Sequence, residues 1–414
     1  LAYGAVGFVP LYFFGGRVRR IGAREGFVTQ AEFVGQRFES RRVTGMMGFA
    51  SVVAFLPYLV IQLKGAGIVM QYAMGWTPVV GAAVVYAFVI AYVVFGGMRG
   101  VGWTNVVQGI VMIVVVWSLG LWVPYELFGG ISQMFDQVVE QAPEYLTLPG
   151  PASRPTTELA YSSEVLVSVL GLTMWPQLFM KCFTARSARL VRFSVVAYPS
   201  FLFFLVPLMF LGYAALLLPG APTDESVILW LVGHPALGGS EVLVAGTCFA
   251  ILAASMSTGD SLLHAGGSIF VRDVLVGGLK VRMRERLQTL WMRVTIVLMG
   301  VVGLGLLALA SQDSVVDLLL LAYAIPIQFV PPTILGIYWR RASRAGAEWG
   351  LGLGLSLVVV LFLLSRFAPE LYSLVNPAGI QIGVIAFAVN LSVMVAVSVR
   401  SQPVPKAVLR RFEL

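Results

Sequence analysis

Long apolar segments separated by short polar stretches fill almost the whole chain. A helix needs about 20 apolar residues to cross a bilayer, and most of these segments approach that length. Eleven segments can be read, at Leu1–Phe14, Met46–Met74, Val79–Phe95, Val106–Tyr125, Ser163–Met180, Val195–Leu218, Val242–Val271, Val294–Ala310, Val315–Tyr338, Trp349–Phe367 and Ile382–Val399. Since 58% of the residues are hydrophobic and only 12% are charged, the pattern predicts an all-α polytopic membrane protein with about 11 transmembrane helices.

The loops between these segments alternate in charge. The basic loops lie, in order, at Arg17 to Arg42, Arg99, Lys181 to Arg192, Arg272 to Arg293, Arg340 to Arg344 and Arg400 to Arg411. The intervening loops are acidic or neutral, as in the one that holds Asp224, Glu225 and Glu241. Because basic loops stay on the cytoplasmic side, the chain is predicted to be a multi-pass plasma-membrane protein with a cytoplasmic C-terminus. The net charge of +8 sets topology and forms no nucleic-acid-binding face.

One apolar segment, from Glu241 to Arg272, carries a string of small and polar residues in its second half. On a helix, the Ala254 carbonyl and the hydroxyls of Ser257 and Thr258 share one face. Three neutral oxygens at mid-membrane depth suit Na⁺, although small residues also allow close helix packing. Asp260 favours function over packing, because an acid inside an apolar span is expensive; it could instead lie near the headgroups.

Two further segments are poor regular helices. Pro176 follows Gly171 within the segment Ser163–Met180, and prolines at 326, 331 and 332 interrupt the segment Val315–Tyr338. Broken helices near the midplane are typical of transporter binding sites. A simple proline kink is the alternative for each of them.

Four stretches resemble the sodium:solute symporter family. They are GGMRGVGWTNVVQ at residues 96–108, WPQ at 175–177 followed by FTARS at 183–187, the small and polar run at 253–268, and LGIYWRRASRAG at 335–346. The match covers nearly the whole chain in order. The family usually has Asp where Asn105 stands and often His where Gln177 stands.

The resemblance implies a transporter of the leucine-transporter type, with two inverted five-helix repeats. Residues 1–126 would be the remainder of an incomplete first repeat, 127–162 an external loop, 163–338 the second repeat, and 339–414 additional helices and a basic tail. Ala254, Ser257 and Thr258 match the family's sodium ligands, and their partners would come from a broken helix expected before Leu1. The family's acid at position 105 is thought to help Na⁺ leave toward the cytoplasm, a role that the amide of Asn105 puts in question.

The resemblance also implies a sodium-coupled secondary active symporter that imports a small organic solute by alternating access. Polar and aromatic residues in the interrupted segments and the second segment are the candidates for contact with that solute. They are Tyr58, Gln62, Lys64, Trp175, Pro176, Gln177, Tyr323 and Gln328. Lys64 could meet a carboxylate substrate or pair with Asp260. For each candidate the alternative is ordinary packing or a bridge between helices.

The sequence is also compatible with two other functions. The chain could be a truncated or non-transporting relative, such as a sensor, that keeps the transporter fold. An intramembrane enzyme is less favoured, because Thr258-Gly259-Asp260 is only half of an aspartyl-protease site and no His-Glu-x-x-His motif for zinc is present. The sequence thus predicts a transporter rather than an enzyme, with Na⁺, a small solute and the lipid bilayer as its partners.

Overall fold

The computed structural model describes residues 6–147, 157–309 and 314–413. The helices in these ranges are α1 (Val9–Glu25), α2 (Gln30–Arg37), α3 (Arg41–Met74), α4 (Pro78–Gly97), α5 (Gly100–Phe128), α6 (Ile131–Gln141), α7 (Glu158–Thr173), α8 (Pro176–Thr184), α9 (Ala188–Leu202), α10 (Leu205–Leu216), α11 (Val227–Val232), α12 (Glu241–Ile269), α13 (Glu285–Leu309), α14 (Val315–Ala324), α15 (Val330–Tyr338), α16 (Arg344–Phe367), α17 (Pro369–Val375), α18 (Ile382–Arg400) and α19 (Lys406–Arg411). A π-helical segment, Phe270–Gly278, continues α12 at its C-terminal end.

Nine helical units in the described ranges are long and apolar enough to cross a membrane. They are α3, α4, α5, α7 with α8, α12 with its π-helical extension, α13, α14 with α15, α16 and α18. The other two of the eleven predicted spans correspond to α1, which has 17 residues, and to the pair α9 and α10. The all-α, multi-pass architecture predicted from the apolar segments is therefore confirmed.

The basic residues after the first apolar segment lie on a helix and not, as predicted, in a loop. Arg17, Arg19, Arg20 and Arg24 all belong to α1, which ends only at Gly26 in a left-handed conformation. The helix continues beyond its apolar half because its basic half is paired. Arg19 donates to the Ala185 carbonyl, and the other three contact the C-terminal tail.

Both predicted proline-containing interruptions are breaks in the helix. The first separates α7 from α8 at Met174 and Trp175, and Pro176 begins α8 at a position where a missing N–H costs nothing. The second separates α14 from α15 through a short 3-10 turn, Pro326–Phe329. These irregular segments are packed against protein, as non-helical backbone at membrane depth must be.

Helix α12 lies in the middle of the bundle, packed against α3, α4, α5 and α13. A continuous core of buried apolar side chains joins α3, α4, α12 and α14 to the broken helix α7–α8. The two breaks approach each other at Gly171, where an added Cβ would lie 2.7 Å from the Tyr323 Cβ and 2.9 Å from the Tyr323 carbonyl oxygen. The glycine thus allows α7 to touch the backbone of α14.

Replacing Gly171 with alanine is expected to destabilise the protein by about 1–3 kcal/mol, because the added methyl group meets backbone that cannot rotate away. Thermal unfolding of the purified protein in detergent measures the effect. Gly305→Ala on α13 is the matched control, since a Cβ there meets no atom of the described residues within 4 Å. Equal unfolding temperatures for the two variants would show that the contact with Tyr323 is not tight.

Candidate functional site

The three oxygens predicted to bind sodium lie together on one turn of α12. The Ser257 hydroxyl donates to the Ala254 carbonyl at 3.0 Å, so these two oxygens are adjacent. Thr258 is half-buried, and its hydroxyl has no protein partner within residues 6–147, 157–309 and 314–413. The turn therefore offers a carbonyl and two hydroxyls, one of which is uncommitted.

The turn is fixed in place by the residue inside it, Ser255. The Ser255 hydroxyl donates to the Gln62 carbonyl on α3 at 2.6 Å, and the Tyr86 hydroxyl on α4 donates to the Ser255 carbonyl at 3.1 Å. Tyr86 is fully buried, and a Cβ at position 259 would lie 2.2 Å from its hydroxyl oxygen, so Gly259 makes room for the ring. These contacts hold α12 against α3 and α4 at the level of the predicted sodium ligands.

Asp260 is fully buried on α12, one turn from these oxygens, and hydroxyl groups surround its carboxylate. Tyr92 donates to Oδ2 at 2.9 Å. The hydroxyls of Thr104 and Ser261 lie 3.4 Å from Oδ2 and 3.1 Å from Oδ1, and each shares its proton with backbone carbonyls of its own helix. In the described part of the chain no lysine, arginine or histidine forms an ion pair with this carboxylate. Among the described residues, the carboxylate is therefore held by hydrogen bonds with neutral groups.

Asn105 lies beside this carboxylate, on the first turns of α5. Its amide donates to the Ser261 hydroxyl at 3.2 Å, and that hydroxyl in turn donates to Asp260. The Asn105 Oδ1 and the Oε1 of nearby Gln108 are buried and have no hydrogen-bond partner among the residues that the structure describes. The amide at position 105 and the acid at position 260 thus meet at a single serine.

Three of the predicted solute contacts form one aromatic cluster at the two helix breaks. The Trp175 ring centroid lies 5.0 Å from that of Tyr58 and 5.4 Å from that of Tyr323, and the two tyrosine rings are 6.3 Å apart. Phe55 packs on Trp175 from α3 at 5.4 Å. Trp175 and Tyr323 are buried, while Tyr58 is half-buried. The breaks in α7–α8 and α14–α15 therefore meet α3 through aromatic faces.

The other predicted solute contacts fall in different surroundings. Pro176 is buried at the start of α8, and Gln177 beside it has a buried Oε1 without a hydrogen-bond partner in the described ranges. Gln62 bonds within its own helix, to the Tyr58 carbonyl. Gln328 is fully buried and donates to the Gly383 carbonyl and accepts from the Asn390 amide, both on α18. It thus forms the bridge between helices that was the alternative to solute contact.

Lys64 forms an ion pair with Glu225 and not with Asp260, so the predicted pairing of Lys64 with Asp260 is wrong. The Lys64 ammonium lies 3.0 Å from Glu225 Oε2, in the acidic segment after α10. Asp260 faces α4 and α5, whereas Lys64 points toward the opposite end of the bundle because α3 carries it past the turn of residues 254–258. The two charges belong to separate regions of the molecule.

Several residues of this site were not selected from the sequence, namely Tyr86, Tyr92, Thr104, Ser255, Ser261 and Gln108. Thr104 and Gln108 lie within the GGMRGVGWTNVVQ stretch, so a signal was present for them. Tyr86 and Tyr92 sit in an apolar segment with no local motif. Only the packing of α4 on α12 identifies them.

Comparison with known proteins agrees with this architecture. The profile of the sodium:solute symporter family matches residues 4–354. The uncharacterized symporter YhjB of Bacillus subtilis is 25% identical over 424 aligned positions, which cover 98% of this chain and 83% of the relative. A second uncharacterized symporter of that organism, YodF, is 25% identical over 88% of this chain and 73% of its own length.

Two solved transporters share the fold. A substrate-bound, outward-open Na⁺-coupled sialic acid symporter superposes with a TM-score of 0.75 at 18% identity, covering 97% of this chain and 83% of that one. A nucleobase-cation-symport-1 family transporter with bromovinylhydantoin bound gives a TM-score of 0.58 at 15% identity, covering 99% and 88%. The leucine-transporter-type fold predicted from the motifs is confirmed. With the family profile matched from residue 4 to residue 354, the chain belongs to the sodium:solute symporter family.

Proposed function

We propose that this protein is a sodium-coupled symporter that imports a small organic solute by alternating access. The observation that carries the proposal is the turn at Ala254, Ser257 and Thr258, next to a buried acid without an ion-pair partner in the described ranges. A Na⁺ ion on the turn would accept neutral oxygen ligands and would lie close to the Asp260 charge. Sodium use by the family and by the sialic acid symporter supports this assignment.

The residues of this turn can coordinate a sodium ion from one side of the ion. Thr258 has a hydroxyl oxygen free to coordinate, and Ser257 could turn from the Ala254 carbonyl so that both oxygens face the ion. Ser255 stays committed to α3 and α4, so it would hold the turn rigid while the ion binds and leaves. The division of the chain into two repeats, with residues 1–126 in the first and 163–338 in the second, is part of the proposal.

The solute would bind at the aromatic cluster, between the two helix breaks. Tyr58, Trp175 and Tyr323 contribute aromatic rings and two phenolic hydroxyls, and Gln177 adds an amide whose oxygen has no partner within the described part of the chain. Flat aromatic surfaces with a few polar groups are typical of small-molecule sites. Because α7–α8 and α14–α15 are discontinuous there, the cluster can rearrange without breaking a regular helix.

In this proposal, Glu225 closes one end of the pathway by which the solute reaches the aromatic cluster. It joins three elements, because its Oε2 meets Lys64 of α3 while its Oε1 accepts the Val315 N–H at the start of α14. Tyr58 and Tyr323 lie further along the same two helices. A cavity of about 590 Å³ adjoins the pair. We assign this end to the outside, with the basic loops and the C-terminus in the cytoplasm and the protein in the plasma membrane.

Replacing Glu225 with glutamine is expected to make the aromatic cluster several-fold more accessible from outside. A cysteine at Tyr58 in a background without Cys182 and Cys248 reports this through its reaction rate with a membrane-impermeant thiol reagent. Glu241→Gln is the control, because Glu241 is an exposed acid on the same side. Equal rates in Glu225→Gln and the parent would contradict the closing role.

The same assay has a defined pH dependence. Burial raises the pKa of Glu225, but the Val315 N–H and the Lys64 ammonium outweigh it, so the pKa lies below its usual range. The ion pair is thus complete above the ordinary pKa of a glutamate, and is lost as the pH falls through the lowered value. On acidification, the reaction rate of the cysteine at position 58 in the parent should therefore rise toward the rate in Glu225→Gln. The ratio of the two rates at each pH removes the effect of pH on the reagent itself.

Transport itself is tested with the full chain in proteoliposomes on a solid-supported membrane. Candidate neutral and anionic solutes are applied with and without an imposed Na⁺ gradient, and the expected result is a current that needs both Na⁺ and one solute class. Currents that are the same without Na⁺, and the same in Thr258→Val, would overturn the sodium coupling.

A further inference from the structure

The last thirteen described residues fold back onto the bundle. After α18 ends at Arg400, the chain turns and α19 brings Phe412 beneath α1 and α2. Phe412 is fully buried, and Val404 and Val408 of the same tail are also buried. A basic tail that only determined topology would have no need of a buried anchor.

Aromatic rings connect this tail to the broken helix. The Phe412 ring centroid lies 5.3 Å from that of Phe33 on α2, and Phe33 lies 6.4 Å from Phe179 and 6.2 Å from Phe183. Both of the latter belong to α8, the half of the broken helix that begins directly after Trp175. The tail thus reaches the solute-site helix through a single intervening ring.

Charged groups fix the tail to the basic half of α1. The Arg411 guanidinium lies 2.7 Å from the Glu25 carboxylate, and Arg20 lies 3.0 Å from Glu413. Arg17 donates to the Phe412 carbonyl at 2.9 Å. These groups are partly exposed, so each pair is individually weak and can open.

Helices α1 and α8 are also in tight contact with each other. A Cβ at Gly22 would lie 2.3 Å from the Phe183 ring, so α8 packs directly on the backbone of α1. The tail therefore holds a unit made of α1, α2 and α8. Any movement that opens the bundle at this end must separate the tail from the unit or move both together.

We propose that the C-terminal tail is a latch that positions α8 and restrains opening at the basic end of the bundle. The inference builds on the alternating access proposed above and adds a control on it. Phe412 is the anchor of the latch, and the Arg411–Glu25 pair is its releasable contact. Weakening either one shifts the conformational equilibrium toward a state in which α8 is accessible.

The two native cysteines serve as reporters. Cys182 is buried on α8, and Cys248 lies near the opposite end of the bundle on α12. The full chain, with Cys248→Ala or Cys182→Ala to leave one thiol, is placed in lipid nanodiscs, where both faces are open to N-ethylmaleimide. Initial labelling rates are then compared among the parent, Phe412→Ala, Arg411→Ala and Arg410→Ala. Arg410 is the matched control, because it is an exposed arginine of the same helix.

We expect Phe412→Ala and Arg411→Ala to raise the labelling rate of Cys182 several-fold, with Arg410→Ala at the parental rate and Cys248 unchanged throughout. The exchange Glu25→Arg with Arg411→Glu should return the rate to that of the parent. Parental rates of Cys182 labelling in Arg411→Ala would overturn the latch, and an equal rise at Cys248 would show general loosening instead. If Phe412→Ala does not yield folded protein, Arg411→Ala and the charge exchange decide alone. No sodium or solute is needed, so a failure of the transport proposal would be seen separately.

Discussion

Replacing Thr258 with valine is expected to lower the affinity for sodium about 30-fold while leaving the fold intact. Valine keeps the shape of threonine and removes only the hydroxyl oxygen, which bonds to no other group in the described ranges. A polar contact to a charged group contributes about 2 kcal/mol, which corresponds to that loss of affinity. Binding of radioactive sodium to the purified protein measures the effect directly and needs no knowledge of the solute.

Two variants control this experiment. Thr258→Ser keeps the hydroxyl and should bind sodium nearly as the parent does. Thr247→Val removes another threonine hydroxyl of α12, one that donates to the Leu243 carbonyl. It tests whether the loss of any hydroxyl from this helix lowers sodium affinity indirectly. A binding curve for Thr258→Val that superposes on the parental curve would remove Thr258 from the ion site.

Asp260→Asn is expected to weaken sodium binding by more than about tenfold, because the amide removes the buried negative charge nearest the turn. Asp260 Oδ1 and Oδ2 accept only neutral hydroxyl donors among the contacts described above, so a bound cation would be its compensating charge. The exposed acid Asp136 provides the control, as Asp136→Asn, and sodium binding is again the measurement.

A second experiment on this prediction uses position 105, where the symporter family usually has an acid. Asn105 and Asp260 both contact the Ser261 hydroxyl, so a carboxylate at either position would lie beside the same serine. The double variant Asn105→Asp with Asp260→Asn should therefore recover part of the sodium affinity lost in Asp260→Asn. A double variant that binds no better than the single one would show that the two positions are not equivalent.

Local patterns were sufficient for much of the fold. The apolar segments identified nearly all the spans, and Pro176 and Pro326 marked the breaks, because a proline acts on the backbone of its own helix. The adjacency of Ala254, Ser257 and Thr258 followed from helical spacing. The exception had a long-range cause: the arginines of α1 were predicted to be in a loop, since their partners in the tail are almost 400 positions away.

The sequence by itself determined the class of molecule, its helices and their breaks, and the turn of α12 that carries the sodium candidates, because each depends on hydrophobicity or on spacing within one helix. Tertiary structure alone decided which groups meet. Tyr92 reaches Asp260 across 168 positions, Lys64 finds Glu225, and Phe412 finds Phe33. Such contacts depend on how helices pack against one another, and no local pattern encodes the partner of a buried charge or ring.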